Sequence, residues 1–170
     1  MGKTQLAVAF ARKHHEKFSA IFWLDGSSID RLKESFADLA SRLPSNEIST
    51  NLRKSLEVVP LDVDAVMRGI LQWLSLPSNK HWLVIIDSVD RDWKAKDQDV
   101  LAYNPRECLP QADHESILAT SRLAGMADAF EAEMHVDRLN DAQAKSVPGK
   151  NAGRKLEGTL RGGIARTRPY

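Results

Sequence analysis

One stretch limits the fold of this chain more than any other: His81 to Asp90, His-Trp-Leu-Val-Ile-Ile-Asp-Ser-Val-Asp. Five apolar residues run unbroken from Trp82 to Ile86 and end on Asp87. A short continuous apolar run rich in branched residues reads as a strand buried on both faces, which calls for helices above and below it. Ligands of open α/β sheets bind at the carboxyl ends of the strands, which is where Asp87 falls. Core packing gives no reason for an aspartate there. The alternative is a strand that simply ends in a polar turn.

The remaining sequence alternates between strand-like and helix-like segments. Gln5 to Lys17 is rich in Ala and Leu, has high helix propensity, and gathers its basic residues in the last turn, where they suit the helix dipole. Ala20 to Asp25 reads as a second buried strand that also ends on an aspartate. Ser27 and Asp30 have the spacing of a helix-capping pair. Behind them Ile29, Leu32, Phe36, Leu39, Ala40 and Leu43 form one apolar stripe that stops at Pro44. Residues 45–60 read as a loop with a short helical piece. Val63, Val66, Met67, Ile70, Leu71 and Leu74 form a second stripe, capped by Asp62 and ended before Pro77.

Residues 91–115 are charged and aperiodic, and connections of that length are often functional or mobile. Ser116 to Ser121 is a third strand, followed by a short helix over 123–130, a short strand over 134–136 and the start of a helix over 137–144. This order argues for a parallel sheet covered by helices.

The balance of charge separates a body from a tail. Residues 145–170 hold seven Lys/Arg against one Asp/Glu, which leaves the first 144 residues at −5. The tail has scattered glycines and no apolar stripe, the composition of a disordered segment. Nothing in the body suggests a nucleic-acid surface. The one cysteine, Cys108, excludes an intrachain disulfide and fits a reducing compartment. No apolar run approaches the length of a membrane span, and the start lacks a signal-peptide pattern. A cytoplasmic location with no membrane partner is the expectation. His14 and His15 are adjacent on a helix and cannot share a face as metal ligands. Trp23, Trp73 and Trp82 belong to apolar faces and read as core.

Gly2-Lys3-Thr4-Gln5 stands at the mouth of the first helix. The phosphate-binding loop has the form Gly-x-x-x-x-Gly-Lys-Ser/Thr between a strand and a helix, and Gly2-Lys3-Thr4 supply its last three positions. Backbone amides at a helix start attract phosphate. Lys3 would reach the β- and γ-phosphates, and the Thr4 hydroxyl would ligate Mg²⁺. Asp87 would hold the metal from the other side. Asp90 would orient an attacking water, or else cap a turn. Arg122 offers a fork of donors that suits phosphate oxygens, or else forms a surface ion pair.

Gly2-Lys3-Thr4-Gln5-Leu6-Ala7, Ile21 to Asp25, Trp82 to Asp90 and Ile117 to Arg122 occur in the order and spacing of an NB-ARC nucleotide-binding domain. Over residues 2–144 the chain resembles this signal-transduction class of P-loop NTPases, in its filamentous-fungal form. The resemblance implies a three-layer α/β P-loop fold that binds ADP or ATP with Mg²⁺, switches state on exchange and oligomerises through the nucleotide-binding domain. It assigns Lys3 and Thr4 to the Walker A end, Asp87 to Walker B and Arg122 to the γ-phosphate sensor. The departures are the first strand and most of the phosphate loop, and the family's helical region beyond Ala144.

The reading is therefore a partial NB-ARC domain over 1–144 with impaired nucleotide binding, an ATPase only if the site is completed. The alternative is a non-enzymatic interaction module or truncated gene product. A small-molecule kinase would share the P-loop logic, but no arginine-rich lid lies between the strands.

Overall fold

Strands β1 (Ala20–Asp25) and β2 (Trp82–Asp87) pair in parallel with Ala20 opposite Trp82 and Asp25 opposite Asp87, so the two aspartates end the strands side by side. The computed structural model of the chain describes residues 2–94, 99–110, 112, 116–123, 126, 130 and 165–166. Strand β3 (Ile117–Ala119) pairs in parallel with β2 on its far side. The two residues of β4 (Ala165–Arg166) run antiparallel along the outer edge of β1, so the sheet order is β3-β2-β1-β4.

Residue alternation along the strands sorts their side chains onto two faces. Phe22, Leu24, Trp82, Val84 and Ile86 enter the larger core. That core is closed by α2 (Ile29–Arg42), α3 (Thr50–Glu57) and α4 (Val63–Leu74). Phe36 and Leu39 of α2, Leu52 of α3, and Ile70 and Leu74 of α4 are buried in it. The Trp82 indole N–H donates to the Leu74 carbonyl at 3.0 Å, which satisfies the ring's polar atom inside the core. Ile21, Leu83 and Ile85 point the other way, onto α1 (Lys3–His14), where Ala7 is buried and Ala11 packs beside it. The fold is α/β, with three parallel strands between helical layers.

Two expectations from the sequence change. Ser28, not Ser27, caps α2, accepting from the Arg31 amide at 3.2 Å. The Ser27 amide instead donates to Asp25 Oδ1 at 2.9 Å. Residues 50–57 form a full helix, capped by Ser49, which accepts from the Leu52 amide. The α4 cap stands as read, with Asp62 accepting from the Ala65 amide.

The described residues of the aperiodic 91–115 stretch are pinned to the body. Tyr103 and Cys108 are buried, and a short 3₁₀ turn spans Pro105–Cys108. The Tyr103 hydroxyl donates to the Gly26 carbonyl at 3.0 Å, and Arg91 Nε donates to the Ser27 carbonyl at 2.7 Å. Arg91 and Tyr103 are therefore held against the carboxyl end of β1. Of the expected helix over 123–130, Leu123, Met126 and Phe130 are described and pack on the larger core. The expected strand over 134–136 and helix over 137–144 lie outside the described residues, as does most of the 145–170 tail. No described helix is long and apolar enough to cross a membrane.

Candidate functional site

The carboxyl ends of β1 and β2 meet the start of α1 at Asp87. The Gly26 amide donates to the Asp87 carbonyl at 2.7 Å, which extends the β1–β2 ladder one step past the strands. Ser88 then takes φ of 67°, a left-handed conformation uncommon outside glycine, and its amide donates to Thr120 Oγ1 at 3.0 Å. Thr120 is buried, and its hydroxyl donates to Asp87 Oδ1 at 2.5 Å. The turn after β2 is thus wound so that one threonine hydroxyl accepts from the backbone and passes its own proton to the carboxylate.

The second partner of Asp87 comes from the opposite face of the sheet. Thr4 Oγ1 lies 3.0 Å from Oδ1 and 3.1 Å from Oδ2, so its single proton is shared between the two oxygens. This contact joins residues 83 positions apart. It places the first turn of α1 over the end of β2, as the sequence pattern required.

Gly2 precedes the helix with φ of 108°, a left-handed geometry that glycine adopts without strain. Its carbonyl accepts from the Leu6 amide at 2.8 Å. No side chain caps α1, and its first turn has no acidic residue. The leading amides of α1 are therefore unsatisfied donors at the positive end of a helix dipole. Lys3 is half-buried beside them and forms no ion pair with a described residue. Gln5 is exposed on the same turn.

Asp90 and Arg122 are brought to each other. Asp90 Oδ1 accepts from the Arg122 amide at 2.6 Å, and Oδ2 accepts from Nε at 2.7 Å. Asp90 is 19% exposed at its side chain and Arg122 81%. Both oxygens of Asp90 are thereby engaged. The terminal guanidinium nitrogens of Arg122 have no partner among the described residues.

The donor set around Asp87 is a carboxylate and two hydroxyls, all hard oxygen atoms. Among the described residues, no group of three or more His, Cys, Asp or Glu side chains could hold a metal ion. A cation at this corner would need ligands from a bound molecule as well, and Mg²⁺ is the ion commonly held by one or two protein oxygens plus phosphates and water. The sequence assigned Thr4 and Asp87 to one cation, and the two side chains lie within hydrogen-bond distance of each other. It also put the Thr120 and Ser121 hydroxyls at this rim, but that Thr120 reaches Asp87 across the β2–β3 pair is visible only once the register is known.

Comparison with known proteins adds no constraint. No protein-family model, curated protein or solved structure matches this chain.

Proposed function

We propose that this chain is a nucleotide-binding module of the NB-ARC type, with Mg²⁺-ADP or Mg²⁺-ATP held between the start of α1 and the end of β2. The observation that carries the reading is the Thr4–Asp87 contact, 3.0 Å long and joining the two ends of the described motif. In P-loop proteins the corresponding hydroxyl and carboxylate act on one Mg²⁺. The uncapped amides of α1 and the half-buried Lys3, which has no ion-pair partner among the described residues, supply positive charge on the same side.

Each residue has a defined task in this reading. Lys3 and the Gly2–Gln5 backbone bind the terminal phosphates. Thr4 and Asp87 orient the cation, and Thr120 fixes which Asp87 oxygen remains available by occupying Oδ1. Mg²⁺, when bound, neutralises charge on the phosphates. Hydrolysis would require Asp90 to release Arg122, freeing the carboxylate for a water and the guanidinium for the γ-phosphate. Of the phosphate-loop motif these 170 residues carry only Gly2, Lys3 and Thr4, so weak affinity is the expected outcome for them.

Calorimetric titration of Mg²⁺-ADP into the 170-residue chain tests this, with an expected Kd of about 1 mM. The signal should disappear in Lys3→Ala. Micromolar affinity, or heat unchanged by that substitution, would contradict the reading. A non-enzymatic interaction module is the second reading. It draws on the exposed Leu6 and Phe10 of α1, which present apolar surface beside the same turn.

A further inference from the structure

The helical layer contains a cavity that the Asp87 corner does not use. It runs along the outer flank of α4, is bounded by the start of α3 and the 106–109 segment, and has a volume of ≈ 730 Å³. Small-molecule sites commonly fall between roughly 300 and 1,000 Å³. Trp73, Leu71, Leu76 and Leu109 are apolar residues of its lining, and Arg68 and Arg106 are the two basic ones.

Neither arginine side chain has a hydrogen-bond or ion-pair partner among the described residues. The one carboxylate among the lining residues, Glu107, already accepts from Asn104 Nδ2 at 3.2 Å. Leu76, on the same lining, is 45% exposed, so apolar surface is left open there. Gly69 keeps the walls close: a Cβ there would come within 2.8 Å of Leu52 Cδ1, so α3 lies directly against α4 at this point.

An unpaired guanidinium presents a planar fork of donors that matches a carboxylate in two-point fashion. Two of them beside an apolar wall select a molecule with an acid group at one end and a hydrophobic body at the other. We propose that this cavity binds a small organic carboxylate with an aromatic or aliphatic body, its acid group between Arg68 and Arg106 and its body against Trp73 and Leu76. The site is independent of the nucleotide reading, since none of the Asp87-corner residues lines it.

The test is an amide-resolved NMR titration of the full chain with 2-naphthoate, and in parallel with the neutral 2-naphthamide. Saturable shifts are expected at Gly69, Ser75 and Leu109, with the neutral amide binding about tenfold more weakly. Arg68→Ala combined with Arg106→Ala should weaken naphthoate by a similar factor or more. Both residues are exposed, so the spectrum elsewhere should be unchanged and should certify the fold. Equal binding of acid and amide, or naphthoate binding untouched in the double variant, would overturn the proposal. So would an acidic peptide that shifts these amides where naphthoate does not, which would make the groove a protein-docking surface.

Discussion

The two faces of the sheet are built on different scales. On one, α2, α3 and α4 close a core that includes Phe22, Phe36, Trp73 and Trp82. On the other, α1 covers the sheet with the small side chains Ala7 and Ala11, and Leu6 and Phe10 of the same helix remain 48% and 37% exposed. The difference separates two tasks. The thick face supplies most of the apolar burial that holds the strands. The thin face carries Gly2, Lys3 and Thr4, and its position over Asp87 rests on a hydrogen bond and a narrow alanine contact. Stability and ligand binding should therefore respond to substitutions on opposite sides of the sheet.

The largest effect should come from Trp82→Ala. This removes a fully buried ring and its bond to the Leu74 carbonyl, and should cost about 3–5 kcal/mol in urea denaturation. A loss below about 1 kcal/mol would remove the distinction between the faces. Gly26→Ala should follow. An added Cβ would stand 2.7 Å from Ile86 Cγ2 and 2.8 Å from Val89 Cγ2, beside the carbonyl that holds Tyr103. Overpacking of this kind costs about 1–3 kcal/mol, and the same denaturation experiment measures it.

The pH dependence is a smaller effect and belongs to the thick face as well. Burial, reinforced by the Glu107 charge, pushes the Cys108 thiol from 9.0 up to about 11. The folded chain then keeps a proton that the unfolded chain loses near 9.0, so unfolding releases protons in this window. Stability should be fully present below pH 9 and fall as pH rises toward about 11, and Cys108→Ala should flatten that slope. Burial also raises Tyr103, which adds a decline in the same direction at still higher pH. Replacing Leu6 and Phe10 together by Gln should change stability least, by no more than about 0.5 kcal/mol per site in the same urea denaturation.

The thick face was largely legible in the sequence because its signals are periodic. The stripes of α2 and α4 and the unbroken run of β2 fix those elements directly, and Asp62 and the prolines at 44 and 77 mark the ends. Helix α3 was read only as a short helical piece because it offers just Leu52 and Leu56 to the core, too few for a stripe. The anchoring of 91–115 was hidden for a different reason. Tyr103, Pro105 and Cys108 are buried from a loop and a 3₁₀ turn, and such segments carry no repeat to read.

At the Asp87 corner, the sequence could name the chemistry of Thr4 and Asp87 from motif order. It could not reveal that Asp90 holds Arg122, because that pair depends on how far each chain runs beyond its strand. The two-residue β4 pairing follows from no compositional signal at all, since Ala165 and Arg166 sit in a segment without alternation.

The central claim is that the first turn of α1 and the end of β2 form one ligand site. Amide shifts on titration with ADP, recorded with and without Mg²⁺, test it most directly. The account predicts shifts at Gly2, Lys3, Thr4 and Gln5 with ADP alone, and additional shifts at Asp87 and Ser88 that appear only when Mg²⁺ is present. Lys3→Ala should abolish both sets. Perturbations confined to other parts of the chain, or none at about 10 mM ADP, where even a Kd near 1 mM gives almost complete occupancy, would contradict it.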